Sequence, residues 1–339
     1  MTDLNAQLGE CLVTARNTYD ARKVGRDIVS VSLNLFRVMI PALIIVKIAT
    51  ELGFDSFLIS VFQPLMALMD LPPAAAIVLV TTMLTNPYTG LLVAASLPEL
   101  TDLNTAQTSI IALFMLFTHG LPVEAMVSSK VGLRLWFVVM IRLLTAFISG
   151  IILATIFAQT GWLSSPAHLS LPQITATDPG LIDWLTSQVI ALFLIQLVII
   201  ILIAALELLR IIGVERLMTW LLSPILHLMG IGARASTIAI VGVCLGLTFG
   251  GGILMKDVAT GTIPKRDVFG VLCFINLKHS AFEDTAVVML LGPSLFVIVV
   301  VRLLFAVVMT MLAMLIARRL PDALWSRYLT NKNVPASAG

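Results

Sequence analysis

The sequence predicts an all-α integral membrane protein of two inverted-topology repeats, each of about five helices, with one short and two interrupted helices and both termini cytoplasmic. Three observations predict it. The first is composition: of 339 residues, 59% are hydrophobic and only 12% charged, and mean hydropathy is +1.03. A soluble protein of this length needs far more charge to cover its surface, which excludes soluble enzymes and nucleic-acid binders. The net charge of +2 is also too small to suggest a polyanionic partner. The second is that the apolar runs are long and do not alternate as barrel strands do, so the spans are helical. The third is that the chain matches itself at a spacing of 160 residues.

At that spacing Gly53 pairs with Gly213, Pro64 with Pro224, Leu68-Met69 with Leu228-Met229 and Gly90 with Gly250. Phe114 pairs with Phe274, His119 with His279, Glu124 with Asp284, and Arg142 with Arg302. Leucine matches are cheap in an apolar chain. Histidine matches are not, because the chain has only four histidines. A duplicated module follows, with membrane repeats at 32–158 and 187–318 and an external linker at 159–186. Residues 1–30 carry Arg16, Arg22, Lys23 and Arg26 with a sparse apolar stripe, and are expected to form an amphipathic cytoplasmic segment. Residues 319–339 are expected to be a cytoplasmic tail.

Orientation rests on the short runs 57–71 and 216–230. If both cross, each half has five crossings, the halves are inverted, and 15 of the 21 basic residues lie on the cytoplasmic side with only Arg234 outside. If neither crosses, Lys130, Arg134, Arg210 and Arg216 move outside. The positive-inside bias favours ten crossings in an inner membrane.

Ionisable residues inside spans are costly and mark function or pairing. Lys47, Arg37 and Glu207 lie near span ends, where snorkelling to the headgroups accounts for them. Glu124 with Arg142, and Asp284 with Arg302, fall at similar depths on neighbouring spans and are expected to form two symmetry-related charge pairs. The segments around His119 and His279 lie deepest. Gly120 and Pro122 are expected to kink the first helix just after His119. The second, 267–291, is expected to run through, placing Asn276, His279 and Glu283 on one face with Lys278 about 100° away. Asn86-Pro87-Tyr88-Thr89-Gly90 and Thr248-Phe249-Gly250-Gly251-Gly252 interrupt the third span of each half. Such breaks are tolerated where backbone lines a solute cavity. Cys11, Cys244 and Cys273 show no metal spacing and read as small buried hydrophobes.

The duplicated polar breaks at Asn86–Gly90 and Thr248–Gly252, with Asn276-Leu-Lys-His-Ser-Ala-Phe-Glu-Asp-Thr285, resemble the Gate, or nucleoside-recognition, membrane family. That family includes the spore maturation membrane proteins and the membrane domain of ferrous iron transporter B, and is distantly similar to concentrative nucleoside transporters. The resemblance implies a helical transport-type module covering most of the chain. No cysteine-containing motif like the iron transporter's and no preceding GTPase domain are found in this sequence, which argues against iron as the expected solute.

The leading expectation is therefore a secondary transporter for an anionic, zwitterionic or nucleoside-like solute, coupled to protons. Its midplane site would use Asn86, Tyr88, Thr89, Gly90, His119, Thr248, Gly250, Gly251, Asn276, Lys278, His279, Ser280 and Glu283, with no cofactor and no resident metal. The site would lie within one chain or against a second copy. An alternative is a divalent-cation carrier or channel using His119, His279, Glu283 and Asp284, which Lys278 beside His279 opposes. A further alternative is a non-transporting scaffold. No HExxH, GxSxG or other nucleophile–base arrangement points to an enzyme.

Overall fold

The computed structural model describes residues 21–169, 180–245, 254 and 263–331. All regular structure there is helical: α1 (Ala21–Glu51), α2 (Phe54–Leu68), α3 (Ala75–Leu84), α4 (Pro87–Ser96), α5 (Thr105–Thr118), α6 (Leu121–Val131) and α7 (Leu135–Thr160) come first. Then follow α8 (Leu181–Ile212), α9 (Val214–Leu228), α10 (Ala233–Leu245), α11 (Lys265–Leu277), α12 (Glu283–Val288), α13 (Arg302–Arg319) and α14 (Asp322–Tyr328). The expected boundary at residue 30 falls inside α1, and α8 begins within the stretch expected to be linker.

Four helical segments are long and apolar enough to cross a membrane: Ile28–Ala49, Leu135–Thr160, Ile182–Ala205 and Val297–Arg319. The pair α5 and α6, bent by 42°, makes a fifth if counted as one span. The other helices fall short of the roughly 20 residues a straight crossing needs. Their outward faces are nonetheless apolar. Leu68, Leu84, Trp220 and Leu228 are all exposed, as lipid-facing side chains would be.

Several helix bounds and backbone irregularities recur at the spacing seen in the sequence. α2 and α9 match end for end, and α5 and α11 start 160 residues apart. Left-handed φ occurs at Gly53 (74°) and Gly213 (83°), at Asp70 (54°) and Gly230 (79°), and at Gly120 (58°) and Ser280 (45°). The last pair lies just past the ends of α5 and α11. α5 stops at Thr118, and Pro122 restarts the chain in the first turn of α6, where its missing N–H costs nothing. α11 stops at Leu277, and the chain restarts only at Glu283.

This corrects the expectation of one continuous helix over 267–291. Ser280 takes the conformation that Gly120 takes in the first half, and a residue at that φ ends an α-helix. Asn276, His279 and Glu283 therefore do not share a helix face.

The core forms where the halves meet. α5 packs along α7, α11 packs against α10, α13 and α7, and α12 packs against α4 and α5. Phe114, Phe117, Phe269 and Phe274 are fully buried there, and with them, unusually, Arg142 and Arg302.

Candidate functional site

The two helix breaks face each other. His119 Nε2 lies 3.0 Å from His279 Nε2, with ring centroids 4.9 Å apart and planes at 55°. Each ring is held from behind. His119 Nδ1 is 3.1 Å from the carbonyl oxygen of Met115, and His279 Nδ1 is 2.9 Å from that of Ile275, in both cases four residues earlier on the same helix. Both histidines are buried, at 5% and 2% exposure.

Two carboxylates close on the same point. Glu124 Oε1 lies 3.3 Å from His119 Nε2 and 3.2 Å from His279 Nε2. Asp284 Oδ2 lies 3.4 Å from His119 Nε2, is buried, and has no hydrogen-bond donor among the described residues. Glu124 can reach this point because Gly120 and the first turn of α6 turn the chain back over the break. The backbone N–H of Glu124 donates to the Gly120 carbonyl at 3.0 Å.

The arginines do something the sequence reading missed. Arg142 donates through Nε to Phe117 O (2.6 Å) and through Nη2 to His119 O (2.7 Å), while its Nη1 pairs with Glu124 Oε2. Arg302 donates through Nη2 to Leu116 O (3.2 Å) and to His279 O (3.3 Å). Carbonyls freed where a helix stops inside a hydrophobic core must find donors, and here a buried guanidinium supplies them. Glu124 and Arg142 form an ion pair. Asp284 and Arg302 do not, because Asp284 faces His119 and Arg302 turns to the carbonyls. The equal spacing of 23 residues from each histidine to its arginine was the available signal.

The remaining expected site residues divide. Tyr88 donates to Glu283 Oε1 at 3.3 Å, placing Glu283 beside α4 rather than among the histidines. Asn86 caps α4: its Oδ1 accepts from Thr89 N (2.9 Å) and Thr89 Oγ1 (3.2 Å). Gly90 lets α4 lie directly on α3, since a Cβ there would overlap Thr82 Oγ1. Asn276 is wholly buried and tied to Ser128 on α6, donating to its Oγ at 2.9 Å and accepting from it at 3.1 Å. Its amide also donates to Leu272 O (2.8 Å), so both amide hydrogens of Asn276 are used within the protein, tying α11 to α6. Lys278, 5% exposed, has no ion pair among the described residues. Ser280 supplies the break itself. Thr248, Gly250 and Gly251 lie outside the described residues. The breaks are also bonded to the preceding helices, Gly120 N to Thr82 O (3.2 Å) and Ala281 N to Val243 O (2.9 Å).

Long apolar helices packed around a buried, ionisable centre define a multi-pass membrane protein. Over 287 residues, covering 82% of this chain and 88% of the other, the chain is 28% identical to the uncharacterized membrane protein YvoD of Bacillus subtilis (strain 168). No protein-family model matches the chain, and no solved structure does.

Proposed function

We propose that the protein is a secondary transporter of a small charged solute, built as an inverted repeat of five plus five crossings, with its translocation site at the paired helix breaks. One observation carries this reading: His119 and His279, equivalent in the repeat, approach to 3.0 Å. Equivalent atoms of a twofold repeat meet only on its axis. In an inverted repeat that axis lies in the membrane plane, which puts the contact near mid-depth, where carriers of this construction bind their solutes between discontinuous helices. The short helices α3 with α4, and α5 with α6, then act as broken spans. The resemblance of the Asn86–Gly90 and Asn276–Thr285 segments to the Gate family supports the same reading.

Topology and flux test it together. In a background lacking Cys11, Cys244 and Cys273, single cysteines at Arg16 and Lys332 label from the cytoplasmic face, and those at Asp102 and Asp178 from the external face. Labelling of positions 102 and 178 on opposite faces removes the five-plus-five arrangement. Purified protein in proteoliposomes should accumulate a solute under an imposed ion gradient. A well-folded preparation that passes neither organic ions, nucleosides nor metal cations is a scaffold.

A further inference from the structure

Two imidazoles that meet Nε2 to Nε2 need something positive between them. A carbonyl oxygen only accepts, so the contacts to Met115 O and Ile275 O require both Nδ1 atoms to carry hydrogen. Neutral rings in that tautomer present two bare Nε2 lone pairs to each other at 3.0 Å. Glu124 Oε1 and Asp284 Oδ2 add two more acceptors at 3.2 to 3.4 Å. Four acceptors thus converge in a buried space, and among the described residues Asp284 Oδ2 has no donor at all. Arg142 does not relieve them, since it occupies Oε2 of Glu124 and two carbonyls. Arg302 gives only Nη2 to carbonyls, and its Nε and Nη1 reach no acceptor among the described residues, so it does not hydrogen-bond Asp284 Oδ2 either.

We propose that His119 Nε2, His279 Nε2 and Asp284 Oδ2, with Glu124 Oε1, bind a divalent first-row transition-metal cation. One ring nitrogen from each histidine and one carboxylate oxygen of Asp284 lie within 4.8 Å of one another. The histidine contacts of 3.0 to 3.4 Å match the edge of a tetrahedron about a cation with bonds near 2.0–2.1 Å, which is about 3.3 Å. A histidine that gives its far N–H to a backbone carbonyl is oriented as metal-bound histidines are. Two imidazoles with carboxylates suit zinc, cobalt, nickel or manganese, whereas magnesium and calcium prefer all-oxygen shells. A proton bridging the two rings would satisfy both nitrogens but leave Asp284 Oδ2 bare. That such an ion is the cargo rests on the carrier reading above, while its binding does not.

Cobalt(II) titration of the purified protein in detergent reads the site directly, because tetrahedral cobalt absorbs strongly in the visible. One cobalt per chain is expected, displaced by zinc and not by excess magnesium. His279→Asn should weaken binding by at least ~100-fold, above the range for losing a supporting contact alone. His279→Cys should keep the metal and add a thiolate-to-cobalt charge-transfer band absent from the wild type, which guards against reading a misfolded variant as a lost ligand. No cobalt or zinc binding by the wild type, displacement by magnesium, or full binding by a His119→Asn/His279→Asn variant overturns the site. Zinc flux in proteoliposomes separates the two readings. Binding without flux of zinc or any other solute overturns the carrier and the cargo role and leaves the site. Flux of another solute without metal binding overturns the site and leaves the carrier.

Discussion

Gly120 and Ser280 stand 160 residues apart and both hold a left-handed φ, 58° and 45°. In each half this residue follows the histidine and turns the chain out of its helix. Left-handed φ costs a residue with a Cβ roughly 1–2 kcal/mol, which glycine escapes and serine bears. Gly120→Ala should therefore lower stability by about 1–2 kcal/mol, since a Cβ there meets only ordinary contacts and the cost is conformational. Ser280→Gly should be neutral to stabilising by up to about 1 kcal/mol, part of its gain being returned as unfolded-state entropy. Thermal unfolding of the two variants in detergent checks the sign difference. Equal destabilisation would mean that the second break is held by something other than Ser280.

The arginines give a second contrast. Arg142 joins Glu124 to two carbonyls, whereas Arg302 reaches two carbonyls and no carboxylate. Breaking a buried ion pair costs about 3–5 kcal/mol, mostly through the charge left behind. Double-mutant cycles should show strong coupling between Glu124 and Arg142, and at most half as much between Asp284 and Arg302. Arg302→Met should still lower stability, because it strips donors from Leu116 O and His279 O. Equal coupling in the two cycles would restore the symmetric pairs that the sequence suggested.

The parts of this site that were legible in the sequence are those set by local chemistry. Pro87 with Asn86, and Gly120 with Pro122, announce their breaks by residue type alone, and His119 with His279 stood out by spacing. The break at 278–282 was hidden because no glycine or proline marks it. Serine takes the left-handed conformation there under tertiary constraint. Glu124 was read as a partner of Arg142 alone. A carboxylate has two oxygens, and only three-dimensional placement shows the second facing the histidines. Asn276 looked like a ligand because a buried amide needs partners, and the sequence could not show that Ser128 provides one.

Gly90 tests how tightly the first broken span must close. Its missing Cβ leaves room for Thr82 Oγ1, which itself donates to Val78 O at 2.8 Å, and Thr82 O holds the N–H of Gly120. Gly90→Ala should push α4 off α3 and cost about 1–3 kcal/mol, the range for overpacking a filled core. Thr82→Ala removes the oxygen that clashes, so the double variant should lose less than the sum of the singles. Simple additivity in thermal unfolding would show that the helices separate rather than share the strain.

Asn276 separates packing from solute binding. Its amide and the Ser128 hydroxyl bond reciprocally, fully buried, between α11 and α6. Asn276→Ala removes both partners of that hydroxyl and should cost about 1–3 kcal/mol, the desolvation penalty of a buried polar group left without a partner. Ser128→Ala takes the same two bonds from the amide, which keeps only Leu272 O, so the second substitution should add little to the first. Since neither side chain faces the histidine cluster directly, cobalt affinity should change by less than about threefold in both variants, under ~0.7 kcal/mol. Stability and affinity are read on one preparation, by thermal unfolding and cobalt titration. A large loss of cobalt affinity with unchanged stability would return Asn276 to the binding site and overturn its assignment as the bond between the two halves.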